Sequence, residues 1–263
     1  MKLGASYFQL PFAFATRSAA VTGLPFEDAL LRYTPYYNEL QQPERDFDVA
    51  RPHEWDFDPA HPRWQAFLAA IQGGADPAEY VYLRTLPPPL PPSMDDCSCF
   101  NFEYEVETRA IRMHFANNAP NGAALRREQI PSRRRDLHDL FTEIAQRYPE
   151  AERVRGASWL YNLPAYRRLF PPEYVANIHP LGSMWQFVAL WGQFLNHCGE
   201  VKADMAQTFL SCLATKTTLD GLASCFPYQV LTTTCGIDFF YRLYGVRISP
   251  SPLLTSKGEG VGG

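Results

Sequence analysis

Apolar positions follow two different periods, and a run of prolines separates them. Before the prolines, Trp64, Phe67, Leu68 and Ile71 recur at i, i+3, i+4 and i+7, opened by Pro62 and stopped by Gly73-Gly74. That spacing predicts a helix. A shorter helix is predicted over 25–33, with Leu30 and Leu31 inward and Thr34-Pro35 ending it. Residues 76–86 suit a further short helix or strand. Pro11 marks 1–20 as irregular, and 41–60 is acidic and aromatic without a period, as in a surface loop. The stretch Leu86-Pro-Pro-Pro-Leu-Pro-Pro-Ser93 predicts a stiff, extended linker.

After the linker the period becomes two. Phe100, Phe102, Tyr104 and Val106 alternate with Asn101, Glu103, Glu105 and Glu107; Ile111, Met113 and Phe115 alternate with Arg112 and His114. The break at 107–110 predicts a hairpin. A long loop follows over 117–132, then a helix to Tyr148 with Ser132 as its cap and Leu137, Leu140, Phe141 and Ile144 inward. Residues 154–160 predict a short strand, and Asn162 can cap a helix holding Pro164 in its first turn. Residues 184–191 are apolar on both faces except Gln186, the pattern of a central strand. Three helices are predicted beyond, over 202–215, 219–225 and 237–244. The tail from Ser249 is rich in Ser, Gly and Pro.

Composition narrows the classes. The chain has 263 residues, 46% of them hydrophobic, enough for a sizeable core. No apolar run reaches membrane-spanning length, and the N-terminus makes a poor signal peptide. A net charge of −4 argues against nucleic acid as a partner. The charge is polarised: the first 108 residues are acidic, and 126–168 carries ten Arg against six acids. That stretch reads either as a solvated basic face or as an anion site. The six cysteines show no zinc-like spacing, so no metal is expected. They read as free structural thiols, which fits a cytoplasmic location.

Candidate chemistry gathers at strand ends. The loop and helix start over 117–135 bring Gly122 together with Arg126, Arg127, Arg133, Arg134 and Arg135, and arginine forks suit phosphates. Neither of the common Gly-rich phosphate motifs occurs. His114, on the polar face of its strand beside this loop, is a candidate base, with Glu105 as runner-up. In Gly156-Ala-Ser-Trp-Leu-Tyr-Asn162, Ser158 lacks the flanks of a nucleophile elbow and reads as a hydrogen-bonding residue. Tyr161 and Tyr166 are candidate general acids. His179-Pro180, Trp185-Gln186 and Trp191-Gly-Gln193 can line a pocket, although core packing accounts for the tryptophans.

Two resemblances follow from these residues. VRGASWLYNLPAYRRLFPPEYV, with WGQF at 191–194 and SCFPYQVL at 224–231, resembles a family of bacterial proteins to which no reaction is attached. The order RMHF (112–115), helix, ASWLYN (157–162), QF (186–187) and CFPYQVL (225–231) resembles the C-terminal domain of GNAT-like acyltransferases. The second resemblance implies an α/β (α+β) fold, a GNAT-like mixed sheet flanked by helices. The linker and the change of period divide the chain into a helical arm (1–86), the linker (87–96), a GNAT-like α/β core (97–247) and a flexible tail (248–263). The same resemblance implies acyl transfer from acyl-CoA to an amine or hydroxyl of a small molecule or peptide, in a ternary complex. Arg126, Arg127, Arg133, Arg134 and Gly122 then meet the coenzyme A pyrophosphate, His114 or Glu105 takes the acceptor's proton, and Tyr161 or Tyr166 protonates the leaving thiolate. The usual GNAT pyrophosphate signature is absent from 117–135. The rival reading is a non-catalytic module that binds another protein through its aromatic surface and acidic arm. A third is a hydrolase built on Cys225 or Ser158.

Overall fold

Alternating side chains after residue 98 fold into the expected hairpin. A computed structural model of the protein describes residues 4–41, 57–85, 98–117, 119, 123–182, 184–196 and 198–247. Strands β1 (Phe100–Glu105) and β2 (Ala110–Phe115) pair antiparallel, from Phe100↔Phe115 to Glu105↔Ala110. Phe100, Ile111 and Met113 are buried on one face; Glu103, Arg112 and His114 share the other. Val106, expected inward, is exposed because the strand ends at Glu105. The chain returns through α6 (Ile130–Arg147) to β3 (Arg153–Ser158), which lies parallel to β2. Helix α6 starts two residues before Ser132, with Gln129 at the cap position, so Ser132 lies in its first turn.

The remaining strands are β4 (His179–Pro180) and β5 (Leu231–Gly236). The sheet order is β1-β2-β3-β5-β4, with β5 antiparallel to both its neighbours. The fold is therefore α+β, with a mixed, open, five-stranded sheet among the described residues. β5 was missed in the sequence because its signal is three successive threonines, not an apolar run. Thr233 and Cys235 nonetheless turn inward with period two.

Two hydrophobic cores result. One lies on the Ile111 face of the sheet, under α6 and α12 (Asp238–Tyr244), and includes Phe141, Tyr161, Tyr166, Tyr174 and Phe240. The other is helical. It joins α1 (Ala5–Thr22), α2 (Phe26–Tyr33), α3 (Tyr36–Gln41), α4 (Pro62–Gln72) and α5 (Pro77–Arg84) to α9 (Val188–Trp191), α10 (Ala203–Thr215) and α11 (Leu219–Ala223). The arm expected over 1–86 thus shares its core with residues 184–230. The linker over 87–96 and the tail over 248–263 lie outside the described residues, as does most of the loop expected over 41–60.

Three expectations are corrected. Residues 5–22 are helical despite Pro11. A proline inside a helix costs about 3 kcal/mol. Tyr7, Phe8, Leu10 and Phe14 are all buried, and each such side chain contributes about 1.5–3 kcal/mol, so packing wins. Gly23 then ends the helix in the left-handed region, at φ 71°, donating to the Ala19 carbonyl. Second, 184–191 forms a turn and α9 instead of a central strand; a two-faced apolar run has no period to distinguish them. Third, Cys212 and Cys225 form a disulfide, while Cys198 and Cys235 are free thiols. That bond removes the cysteine argument for a cytoplasmic location. No helix among the described residues is long and apolar enough to cross a membrane.

Candidate functional site

The distinctive feature of the sheet is where its two parallel strands stop pairing. β2 and β3 are registered only at Ala110↔Arg153, Ile111↔Val154 and Arg112↔Arg155. Both strands continue for three more residues, β2 still paired to β1 and β3 still paired to β5. The sheet therefore parts between Met113–Phe115 and Gly156–Ser158. Peptide groups alternate in direction along a strand. Ala116 donates to Cys99 across the hairpin, and Ile237 donates to Glu152 from the β5 side. By alternation, the peptide groups of Phe115 and Ala157 point into the parting from opposite edges.

An aromatic wedge floors the parting on its core side. Phe115 contacts Tyr166 edge-on at 5.4 Å between ring centroids, and Tyr166 contacts Tyr161 at 5.2 Å. The Tyr161 hydroxyl is hydrogen-bonded at 2.7 Å to that of Tyr174, which stands on α8 (Pro172–Ala176). Both hydroxyls lie over Gly156, where an added Cβ would stand 2.2 Å from Tyr161 Oη and 2.6 Å from Tyr174 Oη. The glycine at 156 is thus the space these phenols occupy. Tyr161 is held by the short 3-10 turn Trp159–Asn162, which Ser158 caps by accepting from the Leu160 N–H at 3.1 Å. Asn162 does not cap the next helix, α7 (Pro164–Arg167). It donates instead to the carbonyls of Trp159 and Gln229, tying this turn to the approach to β5.

Burial above all pushes the Tyr161, Tyr166 and Tyr174 phenols well above their ordinary range, with neighbouring phenols adding to it for Tyr161 and Tyr166. They stay protonated in the folded protein while the unfolded chain ionises near pH 10. A raised folded-state value gives stability that is complete below about pH 10 and is lost as pH rises. Denaturant midpoints are expected to hold flat from pH 7 to about 9 and fall above about 10. A flat profile through pH 11 would place these phenols in water.

The opposite side of the parting is polar. His114 faces away from Phe115, with its Nε2 3.7 Å from Glu103 Oε2 and its side chain 40% exposed. Next to it, the buried Glu105 carboxylate accepts from Arg112 at 2.8 Å, from Arg155, and from the Thr108 hydroxyl at 3.1 Å. Glu105 is the hub of an ion-pair network that ties β1, β2 and β3 together just before the strands part. The structure thus places the candidate base His114 on one face of the sheet and Tyr161 and Tyr166 on the other. The partners Arg112, Arg155, Gly156 and Tyr174 were missed in the sequence; a glycine amid strand formers was the available signal for Gly156.

Helix α6 starts from the loop that follows β2. A 3-10 turn over Arg127–Gln129 leads into it, the Arg127 carbonyl accepting the Ile130 N–H, and Pro131 in the first turn brings no N–H. Arg126, Arg127, Arg134 and Arg135 are exposed there. Arg133 is turned inward instead: it is buried against Cys99, the Ser132 hydroxyl at 3.0 Å and the Asp136 carboxylate at 3.3 Å. Gly122 lies outside the described residues. Among the described residues no group of three or more His, Cys, Asp or Glu side chains is placed to hold a metal ion. A cavity of about 220 Å³ borders Pro180, Trp185 and Tyr228, whereas Trp191 is wholly buried in the helical core. The chain matches no protein-family model, no curated protein and no solved structure.

Proposed function

We propose that the protein transfers an acyl group from acyl-CoA to an amine or hydroxyl, by direct attack within a ternary complex. The observation that carries this reading is the parting of β2 from β3 beyond Arg112 and Arg155. It leaves Phe115 and Ala157 peptide groups facing a slot between two parallel strands. An extended thioester chain fits such a slot by bonding to both strand edges, as a peptide fits an open sheet edge. In this reading the Ala157 N–H stabilises the oxygen of the thioester carbonyl as charge develops on it. The pyrophosphate lies at the start of α6, beside the exposed Arg126, Arg127 and Arg134.

In this reading His114 accepts the proton of the acceptor, with Glu103 orienting the imidazole. The acceptor's nitrogen or oxygen attacks the thioester carbon, the C–S bond breaks, and the sulfur leaves as the coenzyme A thiolate. Tyr161 and Tyr166 hold the strands apart from the core side. Glu105 is a positioning residue, since Arg112, Arg155 and Thr108 occupy its carboxylate.

The rivals have less support. Among the described residues the exposed large apolar side chains, Leu83, Val106, Leu181, Leu210 and Leu243, are spread over separate helices and loops, unlike the broad patch of a docking module. The Ser158 hydroxyl is engaged as a cap and Cys225 as a half-cystine, so neither acts as a hydrolase nucleophile in this state.

Thermal unfolding with coenzyme A and acetyl-CoA tests the reading. A saturable rise in melting temperature is expected, from an added stability of about 2.7 kcal/mol at a hundredfold excess over Kd, and it should be lost in an Arg126→Ala/Arg127→Ala variant. No shift at millimolar ligand would overturn it.

A further inference from the structure

The sheet has two edges, and they are built differently. β4 forms one of them with only two residues, the second of which is Pro180, so that edge offers little to pair with. β1 forms the other with six residues and carries no proline, glycine or lysine. In the hairpin the Ala116 N–H donates to the Cys99 carbonyl, so by alternation Asn101, Glu103 and Glu105 also turn their peptide groups to β2. The peptide groups of Phe100, Phe102 and Tyr104 therefore face outward. The Phe100 N–H is taken by Ser98 Oγ at 3.1 Å. Among the described residues, nothing bonds to the peptide groups of Phe102 and Tyr104. An open edge of this length is a template for another strand.

The side chains of β1 match a second copy of the same strand. Antiparallel pairing about a two-fold axis at Phe102 sets Phe102 against Phe102, and Phe100 of each copy against Tyr104 of the other. Aromatic cross-strand pairs stabilise a sheet. They fall on the core face, where Tyr148 already packs on Phe102 and Tyr104 at 5.9 and 4.5 Å between ring centroids. On the polar face the same register sets Asn101 of each copy against Glu103 of the other, an amide donor against a carboxylate. Moving the axis to Glu103 would set Glu103 against Glu103, like charges at the closest cross-strand spacing. We propose that the outer edge of β1 is a homodimer interface, at which two copies pair β1 with β1 in the Phe102-centred register and join their sheets into one. The Phe102 N–H of each copy donates to the Phe102 carbonyl of the other, and the Tyr104 N–H of each to the Phe100 carbonyl of the other. Main-chain bonds carry such a contact, so it needs no broad apolar patch. The proposal is independent of acyl transfer, because this edge lies across the hairpin from the parted strands.

The test uses the full-length protein. Sedimentation velocity from micromolar to submillimolar concentration should show a reversible monomer–dimer equilibrium. Amide exchange at Phe102 and Tyr104 should be slow in the dimer and become fast on dilution to the monomer. Asn101 is exposed, so replacing it leaves the core intact, and circular dichroism checks the fold of each variant. Asn101→Glu sets two pairs of carboxylates face to face and should weaken dimerisation about tenfold. Asn101→Lys should strengthen it, because each lysine then meets Glu103 of the other copy. These opposite signs are what the register requires and a general surface effect does not give. A protein that stays monomeric throughout, or a dimer that responds to neither substitution, would overturn the proposal. Slow exchange at Phe102 and Tyr104 in the monomer would also overturn it, by showing that another segment of the same chain occupies the edge.

Discussion

Replacing Gly156 with alanine should cost about 2–3 kcal/mol, the scale of overpacking in a close-packed core. The added methyl falls on Tyr161 Oη and Tyr174 Oη, at 2.2 and 2.6 Å. Both rings are buried, so neither hydroxyl can yield without moving its ring. For a chain of this size the expected fall in melting temperature is about 5–10 °C. Tyr161→Phe by itself should cost about 1 kcal/mol, because it leaves the buried Tyr174 hydroxyl without that partner. Combining it with Gly156→Ala should restore part of the loss, since the nearest clashing atom is gone. The Tyr174 hydroxyl remains in contact, so recovery is incomplete. The two substitutions are thus expected to be non-additive in a favourable sense. Wild-type stability in Gly156→Ala would mean that the phenols do not lie over the strand.

Removing the carboxylate of Glu105 should have a comparable effect. Its side chain is 5% exposed, while those of Arg112 and Arg155 are 30% and 36% exposed. Breaking a buried ion pair by deleting one partner costs about 3–5 kcal/mol. Partial exposure of the arginines screens the charge left behind, so about 2 kcal/mol is expected for Glu105→Ala. The loss is more than one missing ion pair: Arg112 and Arg155 stand at paired positions of neighbouring strands, and without Glu105 two like charges face each other there. Arg155→Ala in the Glu105→Ala background should therefore cost less than Arg155→Ala alone. Melting curves of the four proteins measure this coupling, and strict additivity would show that the network contributes nothing.

The sequence made some of this legible and hid the rest for physical reasons. The hairpin, α6 and β3 were readable because each buries a single face, which leaves a period of two or of 3.6. Helix α1 was not, because the propensity rule at Pro11 is local and the aromatic packing that overrides it is tertiary. The run over 184–191 buries both faces, and such a run carries no period. The disulfide was hidden because thirteen residues of separation do not say whether two sulfurs meet. At the candidate site, residue types on polar faces could be listed, but not their company. Glu105 is a plausible base as a letter in an alternating strand; only the register of three strands reveals the two arginines on it. Arg133 belongs to a run of three arginines, and only the direction of its side chain separates it from Arg134 and Arg135. The parting of β2 and β3 is a property of pairing between strands separated by a whole helix, and no local pattern encodes it.

Amide hydrogen exchange with and without acetyl-CoA tests the central claim most directly. Phe115 and Ala157 present peptide groups to the parting, whereas Asn101 and Arg112 turn theirs to the partner strand within the registered hairpin. The account expects acetyl-CoA to slow exchange at Phe115, at Ala157 and in the first turn of α6, leaving the hairpin interior unchanged. Binding without protection at Phe115 and Ala157, or no binding at all, would contradict the claim that the parted strands form an acyl-CoA site.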